Sequence, residues 1–481
     1  MIILASAVFI TSHAQDIGHD SDDTANQAPE IKEKSISSVP FKKIGKVVPR
    51  TSKEIESSSW SIGCETLDRD LANYDSYKNY LGKLGVKNAR LQGGWAKTER
   101  KAGVYDFKWQ DDIVNDMISQ GVRPWIELSY GNPIYKDGGG ATLGDGMPRS
   151  EEALKAWDRW AKALVQRYKD RVSTWAVWNE PEVTKEVSVL EYVNLYIRTA
   201  TMIKSEQPDS RIYALSLAGK IDYADGFLKA LKEQDKLDLV DAISFHGYPY
   251  NPDHMGLYVQ LKSLVEKYSS RIALVQGETG APSGKTTGAL RDREWTELTQ
   301  AKWDLRRMMV HYGNGIPVNL FSCCEFIYDD ARRRGLNAKG LIAIKEDKSF
   351  DHLKPAYFAA QNVYSIFDDT LVLEKKMEFS FSGTKRTPTV YSWRKRNSQM
   401  SVAAIWFGGA PCGESNELVP VDLVFKDAKF ENPVYVDLRT GEVYEFPPSN
   451  WSQDGNTVKF LAMPLYDSPV LIADKSAIQL P

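Results

Sequence analysis

Trp175-Ala-Val-Trp-Asn-Glu-Pro181 is a short apolar run that ends abruptly in an amide, a carboxylate and a proline. Trp175 to Trp178 is too short and too rich in aromatic and β-branched residues for a helix, which predicts a buried strand. Pro181, with no N–H to give a ladder, stops it. Asn179 and Glu180 therefore stand at a strand's C-terminal edge. In parallel α/β architectures ligands bind along that edge, so an acid there points to chemistry rather than packing.

The flanking sequence repeats the same unit. Trp60 to Glu65, Val86 to Gly93 and Val122 to Ser129 read as strands before it, and Arg211 to Leu217, Asp241 to His246, Arg271 to Glu278 and Pro317 to Cys324 after it. Helical spacing follows each. Leu71, Tyr74, Tyr77, Leu81 and Leu84 predict one helix over Arg69 to Leu84. Ser150 caps another that carries Trp157, Trp160 and Leu164, Ser188-Val-Leu-Glu191 is a capping box, and the last helix runs from Pro355 to Phe367. Eight strand–helix units over residues 59–368 predict an α/β fold, a (β/α)8 TIM barrel, with the opening stretch as strand four. The rival, a doubly wound open sheet, would carry a Gly-rich phosphate turn after its first strand. Gly63-Cys-Glu-Thr66 stands there instead.

Beyond about residue 370 the pattern changes to short alternating runs such as Ser401 to Trp406 and Val434 to Leu438, separated by turn residues. These predict a C-terminal antiparallel β-sandwich domain over residues 369–481. At the other end, residues 2–10 are apolar and Ser12-His13-Ala14 follows. That pattern predicts a signal peptide over residues 1–14 and a secreted or periplasmic protein, with a flexible segment over residues 15–58.

The formal net charge of −3 on 481 residues argues against nucleic acid as a partner, and no second long apolar run suggests membrane insertion. No Cys/His spacing of a metal site occurs, so neither metal nor cofactor is expected. The four cysteines are few for an exported chain. Cys64 and the pair Cys323-Cys324 fall on the first and last barrel strands, where either a disulfide or buried thiols would fit. The 13 Trp and 23 Tyr are suited to stacking on sugar rings, although most such residues serve the core.

Read together, the strand ends form a cluster: Arg90 on strand two, Asn179 and Glu180 on four, His246 and Tyr248 on six, Glu278 on seven. A barrel sets strands four and seven across a pocket about one sugar ring wide. Asn179-Glu180-Pro181 and Gly277-Glu278-Thr279 resemble the acid/base and nucleophile signatures of the clan A retaining glycoside hydrolases. Arg90 and Phe245-His246-Gly-Tyr248 are similar to accessory positions of that clan. The barrel followed by a β-sandwich, with Lys354-Pro355-Ala-Tyr in the last barrel helix, most resembles glycoside hydrolase family 39, which includes β-xylosidases and α-iduronidases.

That resemblance implies a β-glycosidase acting on an oligosaccharide or polysaccharide fragment by double displacement, with Glu278 as nucleophile and Glu180 as acid and then base. An endo-acting glycanase of the same clan and a catalytically silent carbohydrate-binding protein are the alternatives. Glu278 must stay ionised, which Arg90 and a hydrogen bond from Tyr248 would favour. Glu180 must start protonated, and Asn179 would hold the 2-hydroxyl. His246 is either a pocket residue or a core histidine. Trp95, Tyr130 and Trp178 are candidate sugar contacts or core. Glu65 and Glu127 compete as strand-borne acids, and Glu325 either reads a substrate hydroxyl or pairs with Arg332 to Arg334. Asp329 and Asp330, beside those arginines, read as a solvated charged loop.

Overall fold

The computed structural model describes residues 35–184, 187–330, 332–374 and 377–480. The signal peptide expected over residues 1–14 lies outside them. Eight parallel strands close a barrel in sequence order: β1 (Ser61–Gly63), β2 (Asn88–Gln92), β3 (Arg123–Leu128), β4 (Thr174–Val177), β5 (Arg211–Leu217), β6 (Ala242–His246), β7 (Ala273–Thr279) and β8 (Val318–Leu320). Pairing of Ser61 with Asn319 and Ile62 with Leu320 joins β1 to β8. At the N-terminal end the interior is filled by Trp125, Ala176, Tyr213, Ala242 and Val275. Trp125 donates to Ser61 Oγ at 3.0 Å, and the Arg90 guanidinium sits 5.5 Å above its ring. The barrel is therefore a packed core below and a polar chamber above.

Two of the outer helices follow their caps closely. Ser150 accepts from the Ala153 N–H at the start of Glu151–Tyr168, whose buried face includes Trp157, Trp160 and Leu164. Ser188 and Glu191 close the capping box of Val189–Glu206. The helix expected over Arg69 to Leu84 is broken instead into the short turns Leu67–Arg69, Tyr74–Ser76, Lys78–Leu81 and Gly82–Leu84. Asp70 is left-handed at φ 54°, and Asn73 accepts from the Asp75 N–H. Asx side chains there compete with the helical backbone ladder.

Strand β8 leaves the ladder at Phe321, earlier than expected. Before the last helix, Pro355–Ile366, come two insertions. Phe326–Asp329 pairs antiparallel with Arg334–Asn337, here called the β8 hairpin, and Ile342–Ile344 pairs with Phe350–Leu353. The charged loop read at Asp329 and Asp330 is thus the end of a hairpin strand and its turn.

The C-terminal region forms a four-stranded antiparallel sheet and six strands of a seven-stranded one, whose seventh strand comes from Lys42–Lys46. One face of the larger sheet continues the barrel core: the Trp393 ring lies 5.5 Å from Tyr312 and 5.0 Å from Phe367. Its other face packs on the smaller sheet through residues such as Ile405, Val421 and Phe460. Lys302 Nζ, on the helix after β7, meets Asp467 at 2.7 Å across the join. The segment expected to be flexible differs from Ser35 onward. Lys42–Lys46 pairs with Glu442–Glu445 as an edge strand, because Phe41 buries its ring against Tyr435 and Phe446 while the lysines keep the outer edge charged. Cys64, Cys323 and Cys324 are buried free thiols, so the disulfide considered above is not formed. Among the described residues no helix is long and apolar enough to cross a membrane.

Candidate active site

The strand ends that carry the acids are irregular. After Val177 the chain turns through Trp178 at φ 65° and Glu180 at φ 49°. On the neighbouring strand Leu215 and Ser216 are also left-handed, inside a register shift between Ala214 and Leu217. The Glu180 N–H reaches the Ser216 carbonyl at 3.2 Å, so the two distortions are stitched together. Non-glycine residues in this region cost of order 1–3 kcal/mol each and persist where neighbours enforce them. Glu278 lies in a further register shift of β7, between Gln276 and Thr279. A bulge of this kind re-aims a side chain. Gly277 is required by close approach: a Cβ there would stand 1.9 Å from Ser244 Oγ.

Arg90 is the hub. Its Nη1 donates to Glu65 Oε1 at 3.0 Å and Glu278 Oε2 at 2.8 Å, and its Nη2 to Glu127 Oε2 and Asn179 Oδ1, both at 2.7 Å. Tyr248 Oη donates to the other Glu278 oxygen at 2.5 Å. His246 Nδ1 meets Glu180 Oε1 at 2.7 Å and lies 3.6 Å from Glu278 Oε2. One oxygen of Glu180, one of Glu278 and a ring nitrogen of His246 all lie within 4.8 Å of one another. Exposure separates the acids into two classes. The side chains of Glu180 and Glu278 are 14% and 16% exposed, whereas those of Glu65 and Glu127 are 3% and 0%. Glu180, Glu278 and Glu65 line the cavity of about 430 Å³ above the barrel, Glu65 with its side chain almost wholly buried, whereas Glu127 is not part of that lining.

Burial alone would push the Glu278 carboxyl up, but the charges of His246 and Arg90 and the Tyr248 hydrogen bond reverse this and hold it below the ordinary range. Burial and the adjacent Glu278 charge keep the Tyr248 phenol protonated, and so a donor. Burial would lower His246, yet Glu278 and its bond to Glu180 raise it. The Glu180–His246–Glu278 donor set would also suit a cation. However, Arg90 and Tyr248 already occupy both Glu278 oxygens, and His246 Nδ1 is engaged by Glu180, so an ion would have to displace them.

Glu65 has the opposite balance to Glu278. Burial lifts it from 4.5 to about 7; Arg90 offsets this only in part, and Glu278 and Glu127 add to the rise. A carboxyl whose folded value exceeds its unfolded value binds its proton more tightly when folded. Its contribution to stability is therefore greatest below pH 4.5, falls as pH rises to about 7, and is level beyond. Glu65→Gln removes that slope. The melting temperature of the variant minus that of the wild type should rise between pH 5 and pH 8. A difference that is flat or falls across this window contradicts the assignment.

Of the residues singled out from the sequence, Arg90, Asn179, Glu180, His246, Tyr248 and Glu278 converge, with Tyr130 on the cavity wall. Asn179 Nδ2 donates to Tyr130 Oη at 2.8 Å, which sets the amide's orientation. Three expectations need correction. Trp95 is fully buried, bonded to Glu99 Oε2 at 2.6 Å and stacked on Tyr135 and Trp160. Trp178 is also buried, edge-on to Tyr130 and against Trp157, so it supports the wall rather than forming it. Glu325 pairs with buried Lys354 and accepts from the Ile344 N–H, not from the arginines of the hairpin.

The cavity also draws on residues the sequence reading missed. Gln92, two positions beyond Arg90 and so on the same strand face, bonds Glu127 Oε1 and Tyr130 Oη, both at 3.2 Å. Tyr328, Arg333, Asn337 and Lys339 come from the β8 hairpin and its exit. The period-two signal of that hairpin was present in Phe326-Ile-Tyr-Asp and Arg334-Gly-Leu-Asn, with a turn between.

Residues 72–273 match the family model described as Glycosyl hydrolases family 39. The match ends at Ala273, the first residue of β7, and so takes in Glu180 but not Glu278. The likeness to that family read from the sequence is borne out. A beta-xylosidase of Geobacillus stearothermophilus is 27% identical over 271 residues, 50% of this chain and 52% of that protein. The chain thus spans about half the length of this relative. Among solved structures, a family 39 glycoside hydrolase from the gut symbiont Bacteroides cellulosilyticus WH2 aligns with a TM-score of 0.62 at 18% identity, covering 87% of this chain and 81% of that one. A monomeric beta-xylosidase from Caulobacter crescentus CB15 aligns at 0.56 and 17%, covering 90% and 97%. At these identities the structures establish a shared fold.

Proposed function

We propose that the protein is a retaining glycoside hydrolase, β-xylosidase-like, that cleaves β-linked sugars by double displacement. The observation that carries this reading is the approach of the Glu180 and Glu278 oxygens to within 4.8 Å at the floor of the cavity. Retaining enzymes hold their carboxyl groups ~5–5.5 Å apart, and inverting ones need ~6.5–9.5 Å to admit a water. Glu278, ionised, attacks the anomeric carbon while protonated Glu180 gives its proton to the departing oxygen. The glycosyl ester on Glu278 is then hydrolysed by a water from which Glu180 takes a proton. Asn179, fixed between Arg90 and Tyr130, is placed to donate to a hydroxyl beside the reacting carbon. The substrate would be an oligosaccharide or polysaccharide fragment, met outside the cell after export on residues 1–14.

End-on binding is favoured over the open cleft of an endo-acting glycanase. Arg332, on the β8 hairpin, donates to the Leu143 carbonyl at 3.0 Å and pairs with Asp145 at 2.9 Å in the loop after β3. Loops from strands that are not neighbours therefore join at the cavity rim, which closes one side.

Two measurements test the reading. Proton NMR of early hydrolysis of an aryl β-xyloside should show the β-anomer of xylose first, and the α-anomer first would sink retention. Glu180→Ala should lower kcat/KM by about 10²–10⁴-fold on xylobiose and far less on a dinitrophenyl xyloside, whose leaving group needs no proton. Azide should restore the variant by attacking the glycosyl-enzyme, giving a β-glycosyl azide. Equal losses on both substrates would remove Glu180 from the acid role.

A further inference from the structure

Among the described residues, no protein acceptor bonds the ammonium of Lys339, a cation of the cavity lining. Its backbone is held on both sides, its N–H by Asn337 Oδ1 at 3.2 Å and its carbonyl by Gln300 Nε2 at 3.2 Å. The residue lines the cavity yet is only 1% exposed. Its Nζ has no hydrogen-bond partner among the described residues and stands 5.5 Å from the centre of the Tyr248 ring. The arginines on the same wall are paired: Arg69 with Asp68 and Gln92, Arg333 with Asp330. Lys354, equally buried, shows how this chain otherwise treats a buried ammonium, placing Glu325, Ser283 and the Ala338 carbonyl around it. An ammonium without such partners is unfavourable. Burial accordingly pulls Lys339 down to about 8, against the attraction of Glu278 and Asp304. A buried polar group left open inside a ligand cavity is explained when the ligand completes it.

The position says which part of a ligand would do so. Tyr248, beneath the ammonium, is bonded to Glu278, so an acceptor held by Lys339 belongs to the sugar whose anomeric carbon Glu278 faces. A hydroxyl would accept a hydrogen bond but leave the charge unbalanced, whereas an anionic group answers both needs. We propose that Lys339 is a specificity-determining residue that selects a glycone bearing an anionic substituent, a carboxylate or a sulfate ester, in the subsite beside Glu278. This rests on the glycosidase reading above, which by itself leaves the glycone neutral.

The test compares kcat/KM for 4-nitrophenyl β-D-glucuronide, a sulfated 4-nitrophenyl β-D-xyloside and the unmodified xyloside and glucoside, using the full chain, Lys339→Met and Lys339→Arg. Thermal melts of each protein accompany the assays. At pH 6 one anionic glycone should exceed its neutral counterpart by at least about tenfold. The advantage should decline as pH rises through about 8, vanish in Lys339→Met and survive in part in Lys339→Arg. Which anion is preferred identifies its source. Neutral glycones turned over as well as the anionic ones, with a ratio that Lys339→Met does not move, would overturn the proposal and leave the glycosidase reading standing. Turnover of no glycoside would overturn both. Should Lys339→Met fail to fold, the pH dependence of the wild-type ratio decides.

Discussion

Glu278→Ala is expected to lower kcat/KM on aryl β-xylosides by about 10⁴–10⁶-fold, because the variant has no group that can form the glycosyl-enzyme. Two effects on fold stability oppose each other. The wild-type carboxylate is held below its ordinary range, so it contributes stability above pH 4.5 that is lost as pH falls through its folded value. The variant lacks that contribution at neutral pH but also relieves the crowding of charge on Glu65, which Glu278 helps to push up. Azide should restore turnover by entering the space left by the carboxylate and attacking the anomeric carbon from the same face. The product would then be an α-glycosyl azide, opposite in configuration to that from Glu180→Ala. A variant retaining a tenth or more of wild-type activity, or giving the β-azide, would remove Glu278 as nucleophile.

The barrel was legible because its strands are buried on both faces and bounded by turns, so apolar runs and periodicity suffice to count them. Glu180 and Glu278 were legible for the same reason: once the strands are numbered, their positions oppose each other. The sequence did not disclose how the strand ends are bent. The left-handed turns at Trp178, Glu180, Leu215 and Ser216 are imposed by neighbouring backbone, not by local preference. That bending separates Trp178, buried behind the wall, from Glu180, which faces the cavity. Tyr130 does line the cavity, but Trp95 and Trp178 went to the core, where core and cavity compete for the same kind of side chain. Trp95 found a stack and a carboxylate inside the protein. The β8 hairpin was obscured by its charge: Asp329-Asp330 and the three arginines dominate a segment whose flanking residues alternate as strands do. It was therefore the part of the cavity wall that carries Lys339 that went unread.

Arg90→Met should be the most damaging single change to the fold and to the reaction together. The guanidinium is fully buried and serves Glu65, Glu127, Glu278 and Asn179 through its two terminal nitrogens. Removing one partner of a buried charged cluster costs about 3–5 kcal/mol, because the remaining charges keep their desolvation without their attraction. Here three carboxyl groups lose a shared counter-charge, so the loss is expected to be greatest at neutral pH and to shrink towards pH 5 as Glu65 and Glu278 take up protons in place of the arginine. Arg90→Lys separates charge from geometry. A lysine keeps the positive charge but presents a single nitrogen, which cannot hold Glu278 and Asn179 at the same time as the two acids behind them. It should retain most of the melting temperature at pH 7 yet lose roughly 10²-fold or more in kcat/KM, the scale expected when reacting groups are misplaced by about 1 Å. Removing the charge that helps to keep Glu278 ionised also moves the acid limb of the pH–rate profile upward in Arg90→Met. Melting curves and pH–rate profiles of the two variants therefore answer different questions. If Arg90→Met melts with the wild type at pH 7, the cluster is not held by this cation. If Arg90→Lys turns over normally, the fork geometry is not what positions Glu278.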